Sequence, residues 1–200
     1  MNASVVRGAA TPALLECTIG EQLAAMAAAR PQHDALVVPH QGIRWSWREL
    51  LERSDALATG LLEAGLQPGD RVGIWAPNCA EWTLAQFATA RAGLILVTIN
   101  PAYRVTEVEY ALNKVQCAAL ITAPAFKTSD YLGMLRELGW PADATSPGAA
   151  AVSASVSTRL PHLRFIAALG ETAHAGFVSF NADFTRESQK TISRPYITSV

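Results

Sequence analysis

Ligands of parallel α/β sheets gather beyond the carboxyl ends of the strands. Three segments of this sequence read as such ends: Pro77-Asn78, Asn100-Pro101-Ala102-Tyr103, and Pro124 to Lys127. A plainer reading stands beside this one. It makes Asn100-Pro101 a strand terminator, Tyr103 a packing residue and Lys127 a solvated charge.

Stronger catalytic patterns are missing from the sequence. It has no G-x-x-x-x-G-K-[ST] and no G-x-G-x-x-G between a strand and a helix, so neither common phosphate cradle is spelled out. The segment GETAHAG (170–176) spaces its glycines without a Lys, and the lysines Lys114, Lys127 and Lys190 all lie outside any phosphate loop. His33, His40, His162 and His174 lack ligand spacing with Cys or carboxylates and read as surface or turn residues. There is no G-x-S-x-G nucleophile elbow. Glu107 and Glu109 form a carboxylate pair in sequence, but helix capping and the helix dipole account for both. Cys79 follows a helix cap, where the dipole would lower its pKa; the plainer reading is a small residue in the first turn. Trp45 and Trp47 bracket Ser46, which fits hairpin and helix packing better than a stacking platform for nucleic acid.

The elements that position these residues follow from caps and periods. Residues 69–101 read as strand, helix, strand: Gly69-Asp70 turns, Arg71 to Ala76 is a buried strand, and Pro77-Asn78 ends it. Asn78 is the expected cap of the next helix, with Glu81 reaching back in a capping box, and Gly93 suits the left-handed position after its last turn. Leu94 to Ile99 is the second strand, parallel to the first through a right-handed crossover. Upstream, Thr18-x-x-Glu21 opens a helix to about Arg30, Ala35–Val38 and Ile43–Trp45 form a hairpin, and Ser46-x-x-Glu49 opens a helix to about Ala64. Downstream, Thr106-x-x-Glu109 precedes a helix to about Val115, Ala118 to Ala123 is a third strand, and Ser129 caps a helix with Tyr131, Leu132, Leu135 and Leu138. Residues 139–158 read as a surface loop, Leu163 to Leu169 as a fourth strand, and Gly170 to Asn181 as irregular. The sum is an α/β chain: an N-terminal helix and β-hairpin lead into a mostly parallel, Rossmann-like layered sheet with helices on its faces.

The series Gly69-Asp70, Pro77-Asn78, Glu81, Gly93, Asn100-Pro101, Tyr103 and Glu107, in this order and spacing, resembles the N-terminal region of the AMP-forming acyl-CoA synthetases of the adenylate-forming (AMP-binding) superfamily. The likeness begins near Thr18-Ile19-Gly20, runs well to Leu138 and loosens through about Phe180, with the flavour of a medium-chain fatty-acyl-CoA synthetase. It implies part of the large N-terminal domain of such enzymes, and a reaction in which a carboxylic acid and ATP give an acyl-adenylate and pyrophosphate before the acyl group passes to the CoA thiol. ATP, Mg²⁺ and CoA are the implied cofactors and substrates. By the same resemblance Asn100, Pro101, Ala102 and Tyr103 would line the approach of CoA, and Lys127 would meet one of its phosphates. The family's Thr-Ser-Gly-Thr-Thr-Gly phosphate loop with Pro-Lys-Gly is not among these 200 residues, so no catalytic residue is assigned and the chain alone is expected to be inactive.

Composition sets the remaining bounds. Half of the residues are hydrophobic and 16% are charged, as in folded chains, and a formal net charge of −1 gives no pull toward nucleic acid or anionic membrane. Cys17, Cys79 and Cys117 make no C-x-x-C and imply no disulfide framework. With no apolar run long enough to span a bilayer and no early hydrophobic signal, a cytoplasmic location is expected. Expected boundaries are a mobile leader over 1–16, a partial AMP-binding-type domain over 17–182, and a divergent tail over 183–200. The polar tail fits a frame-shifted or prematurely ended gene, or a genuine divergent end; the fading likeness favours the first. A fragment of this kind would expose apolar surface and self-associate. The alternative is a stand-alone non-catalytic α/β module that binds a ligand or a protein.

Overall fold

The computed structural model describes residues 8, 9, 11, 13–143 and 157–184 of the chain. Most of the expected leader, the middle of the expected surface loop and nearly all of the expected tail therefore lie outside the described residues.

The first two helices start where their sequences dictate. In α1 (Ile19–Ala29) Thr18 Oγ1 accepts from Glu21 N and the Glu21 carboxylate accepts from Thr18 N. In α2 (Trp47–Glu63) Ser46 and Glu49 repeat the arrangement. Each cap satisfies N–H groups that a helix start leaves unpaired, and is worth about 1 kcal/mol. Between them β1 (Asp34–Val38) and β2 (Ile43–Ser46) form the expected antiparallel hairpin. On α2, Leu50, Leu57 and Leu61 are fully buried at helical spacing, each contributing roughly 2 kcal/mol by leaving water.

The parallel sheet follows. Its strands β3 (Arg71–Trp75), β4 (Ile95–Thr98), β5 (Ala119–Thr122), β8 (Phe165–Ala168) and β9 (Val178–Ser179) lie in the order β4-β3-β5-β8-β9 and are all parallel. The small antiparallel pair β6 (Ala125–Phe126) and β7 (Ser129–Asp130) is separate from it. The chain steps from β3 outward to β4, then crosses back to β5 on the other side of β3. Right-handed crossovers running in opposite directions place their helices on opposite faces. Accordingly α3 (Ala80–Arg91) packs with α1 and α2, whereas α4 (Val105–Lys114) packs with α5 (Tyr131–Glu137). Every residue of β5 and β8 is buried, as strands covered on both faces require, while edge strand β4 leaves Ile95 half exposed.

Several local expectations are corrected. Asn78 does not cap α3; Cys79 is the cap residue and its side chain makes no cap bond. Gln41, at the tip of the first hairpin, does that work: its Oε1 accepts from Ala80 N at 2.7 Å and its Nε2 donates to Glu81 at 2.9 Å. The start of α4 lies two residues earlier than the Thr106–Glu109 spacing suggests. Its cap residue is Arg104, whose N–H donates to the Glu107 carboxylate at 3.0 Å. Glu109 is thereby free to pair with Arg159. Asp130, not Ser129, caps α5 by accepting from Gly133 N. Here two candidate caps were adjacent, and the β6–β7 pairing selected the second. Finally, Val178–Ser179 within the stretch read as irregular is strand β9, too short to show a period. Gly93 takes φ +69°, the left-handed position expected of it.

Candidate functional site

The carboxyl ends of β3 and β4 open onto a cleft of about 310 Å³. Asn78, Trp82, Thr98, Asn100, Pro101 and Tyr103 are among its walls. Three of the five residues singled out in the sequence, Asn100, Pro101 and Tyr103, therefore share one cavity. Ala102 and Lys127 do not line it. Its volume sits at the low end of ligand sites, which suits a narrow arm of a molecule better than a whole nucleotide.

The turn that forms the outer wall is tightly organised. Asn100 Oδ1 accepts from Ala102 N at 2.9 Å, and the Asn100 carbonyl accepts from Tyr103 N at 3.0 Å. The Trp75 indole donates to that same carbonyl at 3.2 Å, and the Tyr131 hydroxyl donates to the Pro101 carbonyl at 2.5 Å. With these backbone groups engaged, a ligand would meet side chains: the Asn78 amide, the Trp82 ring and Tyr103, which is 37% exposed.

Lys127 stands at the tip of the β6–β7 pair, with φ +52° and its Nζ 5.2 Å from the Phe126 ring centre. The two loops are nevertheless linked, because Arg104 Nη1 donates to Ser129 Oγ at 2.7 Å. Arg104 gave no signal beyond its charge in the sequence. Trp75 lies in a strand read as buried and Tyr131 on a helix face, while Gln41 falls between the two hairpin strands. Only contacts between distant segments give these four their roles.

Burial pushes the Cys79 thiol up to about 11, which fits the plainer reading of a small packed residue rather than a dipole-lowered thiol, and the Glu81 charge adds to the rise. Burial likewise raises the Tyr131 phenol, which stays a donor. Cys117, buried beneath β3, rises to about 12. Among the described residues no group of three or more His, Cys, Asp or Glu could hold a metal ion, and no helix is long and apolar enough to cross a membrane.

Residues 23–187 match the family described as AMP-binding enzyme. The chain belongs to that family. The chain is 40% identical to the mitochondrial medium-chain acyl-CoA ligase ACSF2 of Bos taurus over 95% of its own length, and 42% identical to that of Danio rerio over 83%. It spans only 32% and 27% of those two proteins. In three dimensions it resembles the anthranilate CoA ligase AuaEII, solved with anthranoyl-AMP, at a TM-score of 0.67 and 22% identity over 82% of this chain and 27% of that one. That likeness supports the fold: an α/β architecture with a mostly parallel sheet and helices on its faces.

Proposed function

We propose that this chain is the N-terminal part of an AMP-forming acyl-CoA ligase acting on a medium-chain fatty acid. The observation that carries the proposal is the family match over residues 23–187, joined to a cleft at the strand ends that holds Asn100, Pro101 and Tyr103. In this reading the cleft takes the narrow pantetheine arm of CoA. Asn78 offers its amide and Asn100 its remaining side-chain NH₂ donor to the arm's amides, Tyr103 covers it, and Ala102 shapes the turn. Lys127, outside the cleft, meets a phosphate of the nucleotide end as an exposed charge.

ATP and Mg²⁺ do not fit the residues present. The sequence holds no Gly/Ser/Thr-rich loop with a Lys to take a triphosphate, and the described residues offer no carboxylate cluster. Both therefore belong, in this proposal, to segments outside these 200 residues, and the chain alone does not adenylate. Residues 17–182 form the domain, and self-association follows wherever the missing segments would cover apolar surface. The cytoplasmic location is also part of the proposal, set against relatives whose names place them in mitochondria.

A second reading keeps one observation in its favour. Among the described residues no buried side-chain nitrogen or oxygen lacks a partner, as expected of a self-sufficient α/β binding module.

The test is to sequence the native DNA beyond codon 200 in all three frames and to assay ATP–pyrophosphate exchange with octanoate, on the chain and on any extended product. The proposal expects a phosphate-loop motif downstream and exchange only in the extended product. Exchange by the 200-residue chain, or no ligase-like sequence downstream, overturns it.

A further inference from the structure

Two aromatic side chains from different segments hold consecutive carbonyls of the cleft's outer turn. Trp75 ends β3 and Tyr131 begins α5; both are fully buried, and their rings stack at 3.7 Å between centres and 14° between planes. The indole donates to Asn100 O and the phenol to Pro101 O. The Tyr131 bond is not needed for the stacking, since a Phe ring would fill the same space. What the two donors add is direction. They fix the peptide planes at 100–101 and so the placement of Ala102 and Tyr103, whose N–H groups fold back on Asn100. The bond from Arg104 to Ser129 ties the same turn to the β6–β7 pair from outside.

We infer that the stacked Trp75–Tyr131 pair is a clamp that positions the Asn100–Tyr103 turn for a ligand in the cleft, with the Tyr131 hydroxyl as its positioning group. The inference rests on reading the cleft as a CoA-side site. The clamp also couples the cleft to the β6–β7 pair, so that Lys127 and Tyr103 are held in one arrangement although they touch the ligand at different places.

The test is Tyr131→Phe in the 200-residue chain, read by site-resolved hydrogen exchange and by calorimetric titration with CoA. The variant keeps the ring and its stacking. The clamp predicts faster exchange at the Tyr103 amide and the Trp75 indole by about 2- to 10-fold, the factor one net hydrogen bond supplies. The Ile99 and Ala123 amides, bonded to Ile74 O and Trp75 O within the sheet, stay unchanged. CoA affinity falls by a similar factor. Ser129→Ala, which cuts the outer tie without touching the core, moves the same two protons in the same direction. Uniform acceleration across all four protons makes Tyr131 a packing residue and overturns the inference. So does no change, and so does equal CoA affinity in variant and wild type. Local acceleration with no CoA binding by the wild-type chain upholds the clamp over the turn and overturns the CoA reading instead.

Discussion

The starts of α2 and α3 lie on neighbouring helices and are built in opposite ways. At α2, Ser46 and Glu49 close the helix start within four residues of chain. At α3 the cap residue Cys79 contributes no side-chain bond, and Gln41, 39 residues before Ala80, supplies the acceptor for the Ala80 N–H. The first start is complete in the isolated segment. The second exists only once the hairpin has docked, and it sits beside the candidate cleft, where Asn78 and Trp82 form a wall. A helix start that depends on tertiary contact can respond to what binds next to it; a self-capped one cannot.

The contrast can be broken by variants of graded severity. The largest effect is expected at the other end of α3. Arg91 joins three helices there, bonding Asp55 through Nε at 2.6 Å and Nη2 at 3.0 Å, and the Gly20 carbonyl through Nη1 at 3.3 Å. Its side chain is 10% exposed and that of Asp55 28%. Arg91→Ala strands a partly buried carboxylate, and urea denaturation should show a loss of about 2–3 kcal/mol, less than a fully buried pair would lose. Gln41→Ala should cost about 1 kcal/mol and raise exchange at the Ala80 amide, whereas Asn78→Ala should leave stability within about 0.5 kcal/mol. Ser46→Ala should also cost about 1 kcal/mol, but with the exchange change confined to the start of α2. Cys79→Ser should restore about 0.5 kcal/mol to the Gln41→Ala background by giving α3 a cap of its own, read as a shift in the urea midpoint.

The smallest effect concerns pH. The Ser46 backbone N–H, then its side chain, hold the Glu49 carboxyl below its ordinary value of 4.5. A folded-state pKa below the unfolded one gives stability that is present above 4.5 and lost as pH falls through the folded value. Wild type should therefore weaken below pH 4.5, and Glu49→Gln should flatten that part of the acid limb while leaving the α3 start unaffected. Chemical denaturation at a series of pH values checks both.

The site was legible in part, for reasons visible in particular residues. Asn100 and Pro101 announce a strand end because Pro cannot continue a ladder, and strand ends of parallel sheets are where clefts form. Asn100, Pro101 and Tyr103 do line one. Lys127 was grouped with them as the end of a third strand and by the family resemblance, and the β6–β7 pairing that carries it onto its own tip involves two-residue strands with no readable period. Gln41, Arg104 and Tyr131 escaped notice because what marks them is a partner 25 to 40 residues away. The Thr106–Glu109 spacing misled because Glu107 takes the backbone N–H of Arg104 two residues earlier, and Glu109 pairs with the distant Arg159 instead.

The sequence by itself determined the helices with their own boxes, the hairpin, the buried strands and the family. The elements depend on near neighbours in the chain, where caps, turns and continuous apolar runs act without help, and the family on the spaced series from Gly69 to Glu107. Tertiary structure alone decided the strand order, the cap of α3, the placement of Glu109 and the clamp on the Asn100–Tyr103 turn. Each of those is a contact between segments whose separate sequences leave the choice open, and the deciding free energy arises only when the segments are packed together and buried groups must find partners.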